Sequence, residues 1–144
     1  MRINECMTRE VRIVDPDETL EQAARAMAEI DAGVLPVGEN DRLIGIITDR
    51  DIAIRGAGKG RAPATKVRDV MSDEVLYCFQ DDATEDVLNN MAEIQVRRLP
   101  VLDRDKRLVG IVSISDLAGN GADTHVGEVL CEIARPNARH SQMA

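Results

Sequence analysis

The stretch Leu43-Ile44-Gly45-Ile46-Ile47-Thr48-Asp49-Arg50-Asp51 returns later in the chain as Leu108-Val109-Gly110-Ile111-Val112-Ser113-Ile114-Ser115-Asp116. Each version holds a glycine, two apolar residues, a hydroxyl side chain, two variable positions and an aspartate, and the two lie 65 residues apart. Toward the N-terminus the correspondence continues at an offset of 64 residues: Leu35-Pro36-Val37 with Leu99-Pro100-Val101, and Met27-Ala28-Glu29-Ile30 with Met91-Ala92-Glu93-Ile94. At the same offset Cys6-Met7-Thr8-Arg9-Glu10-Val11 matches Val70-Met71-Ser72-Asp73-Glu74-Val75. The added residue falls in the polar turn Leu102 to Lys106, where loop length changes cost little. The chain is therefore two copies of one unit, and that self-similarity decides the fold ahead of any local propensity.

Each copy presents the same order of hydrophobic periods. Val11 to Val14 and Val75 to Phe79 are short apolar runs that suit a buried strand. Leu20, Ala23, Ala24, Met27 and Ile30 fall at helical spacing, as do Val87, Leu88, Met91 and Ile94. Val34 to Val37 and Leu43 to Thr48 flank the polar turn Gly38-Glu39-Asn40-Asp41, predicting a strand pair. A last short helix starts at Thr48 or Ser113, curtailed in the second copy by Gly119-Asn120-Gly121. The expected fold class is mixed α+β, with two β-α-β-β-α repeats, small sheets and flanking helices. A repeat of about sixty residues is marginal alone, so the two should pack together.

The predicted boundaries are 1–58 for the first repeat, 59–65 for a linker, 66–120 for the second repeat, and 121–144 for a short helix and disordered tail. Gly56-Ala57-Gly58-Lys59-Gly60-Arg61-Ala62-Pro63 is rich in turn formers, which suits a connection. It is no phosphate-binding loop of the Walker type, because Lys59 is followed by glycine where serine or threonine is required. Val126, Val129, Leu130 and Ile133 share one face of a helix expected to end before Pro136, with disorder from Asn137 on.

Composition narrows the function. Tyr77 and Phe79 are the only aromatic residues, so no platform exists for stacking bases of a single strand, and the net charge of −8 repels a phosphate backbone. Nucleic acid is excluded as an expected partner. No run is long and apolar enough to span a membrane, and the opening MRINECMTRE lacks the apolar centre of a secretion signal, which places the chain in the cytoplasm. Cys6, Cys78 and Cys131 are odd in number and widely spaced, predicting buried or half-buried reduced thiols rather than disulfides or a zinc site. His125 and His140 lie in the tail without a nucleophile or metal-ligand pattern around them, and no catalytic constellation is apparent.

The repeated Gly-x-x-Thr/Ser-x-x-Asp segment carries the chemistry. Its hydroxyl lies where a strand passes into a helix, and its aspartate lies in the first helical turn. Unpaired N–H groups there can receive phosphate oxygens, and an ionised carboxylate can accept from two neighbouring ribose hydroxyls. Thr48-x-x-Asp51 and Ser113-x-x-Asp116 also resemble a capping box, with Asp in place of Glu or Gln, and one hydroxyl can serve both purposes. Gly45 and Gly110 leave room for a ligand or a facing strand.

Taken together, the Met-Thr/Ser openings, the Leu-Pro-Val triplets and the two Gly-x-x-Thr/Ser-x-x-Asp segments resemble a tandem pair of CBS (cystathionine β-synthase) domains, a Bateman module, over roughly residues 1 to 118. The resemblance implies pseudo-twofold packing of the repeats and clefts for an adenosine-containing ligand, of the AMP, ADP, ATP, NAD and S-adenosylmethionine class, with no cofactor required. It implies ribose recognition by Asp51 and Asp116, Thr48 and Ser113 near ribose or phosphate, and the base against Val11, Ile13, Val75 and Tyr77. Arg97 and Arg98 fall where family members carry phosphate-reaching bases, whereas the first copy has Gly33 and Val34 there; Arg50 and Arg55 are further basic candidates. A homodimer, a protein partner and a regulatory, non-enzymatic role follow from the same resemblance. The alternative is a ligand-free interaction or stress protein whose repeated segments only cap helices.

Overall fold

The computed structural model describes residues 1–118 and 123–134, without the side chains of 123–125. Helices and small sheets follow the predicted order, except that the first strand of the first copy is reduced to a single bridge. The residues gather into two compact units. The first unit holds Glu10–Leu76 with Asp105–Leu108, and the second holds Met1–Arg9, Tyr77–Arg104 and the described residues from Val109 on.

In the first unit, α1 (Leu20–Ile30) starts at Thr19, whose hydroxyl accepts from the Gln22 N–H at 3.1 Å while the Gln22 side chain accepts from the Thr19 N–H at 2.9 Å. This reciprocal box satisfies donors that the first helical turn leaves without partners. Leu20, Ala23, Ala26 and Met27 are buried. Ala24 and Ile30, expected on the same face, are exposed: the core face centres nearer Ala23, and Ile30 sits in the last turn.

Strand β1 (Val34–Glu39) pairs antiparallel with β2 (Arg42–Thr48). The turn rests on Asn40 and Asp41 at φ of 55° and 63°, the paired left-handed residues of a two-residue hairpin. The expected strand Val11 to Val14 contracts to Val14 alone, which bridges Val37 in parallel. Arg12 and Ile13 are exposed, so this segment buries too little apolar surface to extend the ladder.

Helix α2 (Asp49–Asp51) continues through a π-helical turn, Ile52–Gly56, and a 3-10 turn, Ala57–Lys59. The turn-former-rich stretch therefore begins as helix, and the chain leaves it at Gly60, whose φ of 72° suits glycine. The connection that follows is fixed along its length. The Thr65 and Pro63 carbonyls accept from the Leu20 and Glu21 N–H groups at 2.9 and 3.2 Å, occupying first-turn donors of α1. Val67 and Val70 then enter the core formed by Val14, Leu20, Ala23, Met27, Leu35, Val37 and Ile47.

In the second unit, β3 (Cys78–Phe79) lies parallel to β4 (Arg98–Leu102), with β5 (Leu108–Ser113), which belongs to this unit from Val109 on, on the other side of β4. Here the expected strand Val75 to Phe79 keeps two residues. Helix α3 (Thr84–Ile94) precedes β4, while α4 (Ile114–Ala118) and α5 (Asp123–Ala134) follow β5. Leu88, Met91, Leu99, Val101 and Val112 form the core, closed by Val126, Val129 and Ile133 of α5. Leu130, predicted on that apolar face, is 42% exposed. The Gly119-Asn120-Gly121 stop, the tail from Asn137 and His140 lie outside the described residues.

Each unit takes its opening segment from the other sequence copy. Ile3 and Met7 are buried in the second unit, where Thr8 and Ile111 exchange two backbone hydrogen bonds of 2.9 Å. In the first unit Ser72 and Ile46 exchange the same pair at the same distance.

Candidate ligand-binding motifs

The two glycines at the head of the repeated motif are explained by this exchange. A Cβ on Gly45 would stand 2.7 Å from Met71 Sδ and 2.9 Å from the Ser72 carbonyl oxygen. A Cβ on Gly110 would stand 2.7 Å from the Thr8 carbonyl oxygen and 2.8 Å from Met7 Sδ. Of the two uses the sequence left open, the structure shows close approach of another chain segment: the Met-Thr and Met-Ser openings, which bridge the strands beyond, lie directly on these glycines.

Three residues on, each motif turns into its helix through a complete reciprocal box. The Thr48 N–H donates to Asp51 Oδ2 at 3.0 Å, and the Asp51 N–H donates to Thr48 Oγ1 at 3.0 Å. In the second copy the Ser113 N–H donates to Asp116 Oδ2 at 2.9 Å and the Asp116 N–H to Ser113 Oγ at 3.2 Å. Capping is thus a real duty of all four residues. It engages one oxygen of each carboxylate, and Asp51 and Asp116 remain only half-buried.

A further backbone bond fixes what stands beside each box. The Asp49 N–H donates to the Gly33 carbonyl at 2.9 Å, and the Ile114 N–H to the Arg97 carbonyl at 3.0 Å. The same main-chain contact therefore brings different side chains together. Beside Thr48 the Asp49 carboxylate covers Gly33 so closely that a Cβ there would meet Asp49 Oδ2 at 2.7 Å. Beside Ser113 stand Arg97, exposed, and Ile114, buried. Among the described residues Arg97, Arg98 and Arg50 have no side-chain hydrogen bond or ion pair. Asp49 is a participant the sequence reading passed over, and its signal was its position opposite an apolar residue of the other copy.

The remaining predicted residues divide between the units. Val11, half-buried, Ile13, 41% exposed, and Val75, half-buried, belong to the unit of the first motif. Gly38 makes room for Ile13, whose Cγ2 would lie 2.9 Å from a Cβ at that position. Tyr77 belongs to the unit of the second motif, with its ring edge-on to Phe79 at 5.6 Å between centroids. The Arg104 guanidinium lies 4.2 Å from the Phe79 centroid and forks onto Asp81 with bonds of 3.0 and 2.7 Å. Arg104 also holds the Asp81 carboxyl below its ordinary range. Arg55 is no free cation: its guanidinium donates to the Val70 carbonyl and, at 2.6 Å, to that of Met71, fastening the segment that covers Gly45.

All three cysteines lie in the second unit. Burial pushes the Cys78 thiol up to about 12, with the charge of Asp82 adding to it. Burial and the nearby Asp116 carboxylate raise Cys6. Cys131 is exposed, against the expectation of burial, because it sits on the outer side of α5. Among the described residues no three His, Cys, Asp or Glu side chains gather as a metal-holding group, and no helix is long and apolar enough to cross a membrane.

Two copies of a strand-turn-helix motif, each headed by a glycine under an exchanged opening segment and closed by a hydroxyl-aspartate box, define a tandem CBS repeat. The chain belongs to the CBS domain family, which it matches at residues 3–57 and 67–123. It is 39% identical over 136 residues to the CBS domain-containing protein YhcV of Bacillus subtilis, spanning 94% of this chain and 96% of that one. It is likewise 39% identical over 130 residues to Hypoxic response protein 1 of Mycobacterium tuberculosis, spanning 89% and 90%. The crystal structure of Hypoxic Response Protein I with two coordinated zinc ions superposes with a TM-score of 0.75 at 40% identity, covering 83% of this chain and 98% of that one. At lower identity the fold is shared with two ligand complexes. The CBS domain pair of MJ0100 with 5-methylthioadenosine and S-adenosyl-L-methionine gives a TM-score of 0.74 at 22% identity, covering 86% and 98%. CBSX2 with AMP gives 0.74 at 23%, also covering 86% and 98%.

Proposed function

We propose that this chain is a non-enzymatic regulatory module in the cytoplasm. It binds an adenosine-containing ligand at its two hydroxyl-aspartate motifs and signals through a change in association with itself, as a homodimer, or with a protein partner. The observation that carries this reading is the duplicated box. Thr48/Asp51 and Ser113/Asp116 recur with matching hydrogen bonds on unlike surroundings, and each presents a half-buried carboxylate. A carboxylate held in this way suits the paired hydroxyls of a ribose. The adenosine ligands of MJ0100 and CBSX2, two proteins of the same fold, support the ligand class. Binding would act by selecting one member of an existing ensemble.

The test is a thermal-shift series with AMP, ADP, ATP, NAD and S-adenosylmethionine on the native chain and on Asp51→Ala and Asp116→Ala. A ligand at a hundred times its dissociation constant adds about 2.7 kcal/mol, or roughly 5 to 10 °C in Tm for a chain of this size. Each substitution should lose part of the ligand-induced shift, measured against its own ligand-free baseline because the cap is lost too. A shift that survives both substitutions assigns the ligand to other residues. Light scattering with and without the stabilising ligand reads the association state. The capping duty of both boxes favours a second reading, a ligand-free interaction protein in which the segments only cap helices, and absence of any shift would select it.

A further inference from the structure

The two motifs share one backbone frame, so the side chains around it decide which ligand each accepts. In the first motif the carboxylates of Asp49 and Asp51 stand at the helix start with one exposed arginine, Arg50, and residue 33 brings no side chain at all. Gly33 cannot be replaced by a larger residue without displacing the Asp49 carboxylate, which fills that position. Asp49 is itself held, since its Oδ1 accepts from the Arg50 N–H at 2.8 Å. In the second motif the residue bonded to the helix start through its carbonyl is Arg97, followed by Arg98, and the counterpart of Asp49 is the buried, uncharged Ile114. The formal side-chain balance is one net negative charge at the first motif and one net positive charge at the second.

From this difference we infer that the motifs sort adenosine ligands by charge, with Asp49 as the specificity-determining residue of the first. The second motif takes phosphorylated ligands, through the unpaired Arg97 and Arg98. The first takes uncharged or cationic adenosyl compounds, because a phosphate placed there meets the Asp49 carboxylate. The inference rests on the adenosine reading of both motifs and adds the ligand class of each. Arginine forks onto phosphate oxygens with charge-assisted hydrogen bonds, whereas a carboxylate has only acceptors to offer an anion.

The experiment titrates the full chain with adenosine, AMP and ATP by calorimetry, with Asp116→Ala isolating the first motif and Asp51→Ala the second. The AMP-to-adenosine affinity ratio is expected to be about tenfold higher at the second motif than at the first. Asp49→Asn retains an oxygen for the Arg50 N–H, and should raise that ratio at the first motif about fivefold, on the scale of one exposed charge interaction. The gain should shrink in 0.5 M salt, where charges are screened, which a purely structural effect would not do. Arg97→Gln should lower the ratio at the second motif. Equal ratios at the two motifs, or an Asp49→Asn ratio within twofold of the native one, would overturn charge sorting and leave the adenosine reading standing. No binding of any of the three compounds by the native chain would overturn both.

Discussion

The first and second units solve one packing problem with the same backbone and different side chains. Both seat a Met-Thr or Met-Ser segment on a motif glycine, bond it twice to the strand residue beyond, and close the following turn with a hydroxyl-aspartate box. They part at the rim, where Asp49 over Gly33 stands against Ile114 beside Arg97. They part again in how the opening segment is held: Arg55 grips the carbonyls of Val70 and Met71. What is alike between the units is what backbone packing demands, and what differs is where the proposed sorting of ligands by charge would act.

The glycines test the shared part most severely. Gly45→Ala and Gly110→Ala each push a methyl group against a backbone carbonyl oxygen, which cannot swing aside as a side-chain tip can. Each is expected to lose about 1–3 kcal/mol of stability, read by denaturant unfolding. Gly110→Ala should cost slightly more, because its nearest atom is the Thr8 carbonyl oxygen, whereas Gly45 first meets the adaptable Met71 sulfur. A neutral result at either position would break the equivalence of the exchanged segments.

A smaller effect is expected at the caps. Thr48→Ala and Ser113→Ala should each cost about 1 kcal/mol, because each removes the oxygen that accepts the aspartate N–H of its box. A marked loss at one cap and none at the other would show that the boxes share a sequence pattern but not a duty.

The thiols probe a difference that leaves stability near neutral pH untouched. Toward a disulfide reagent near pH 8, Cys131 should react first, Cys6 more slowly and Cys78 last, because exposure falls in that order and burial raises the Cys6 and Cys78 thiols. The fold favours the neutral Cys78 thiol, so its contribution is fully present below an unfolded value near 9.0 and is lost as pH rises toward about 12. Cys78→Ala should remove that part of the alkaline destabilisation.

Much of the fold was legible because the repeat is written locally. The 64-residue offset shows that the pattern is written twice, and the helical spacing around Leu20 to Met27 and Val87 to Met91 and the polar hairpin turn report contacts between near neighbours in the chain. The first strand was overread, since Val11 to Val14 has the composition of a strand but only Val14 finds a partner. The helical start of the connection was not legible, since Gly56 and Gly58 read as turn formers although the chain leaves the helical turns only at Gly60, where φ becomes left-handed. In the candidate site Thr48, Asp51, Ser113 and Asp116 were visible from spacing. Asp49 was not, because its meaning depends on residue 33 lying beneath it.

The sequence by itself determined that two copies exist, where their strands and helices fall, and that hydroxyl and aspartate meet at each turn into helix, because these follow from periodicity and from contacts three residues apart. Only the tertiary structure decided that the opening segments are exchanged, that Gly45 and Gly110 admit those segments, and that Gly33 and Arg97 stand beside the boxes. Those relations join residues 16 to more than 100 positions apart, and no local pattern encodes them; they arise when apolar residues such as Ile3, Met7, Val67 and Val70 find the core that buries them.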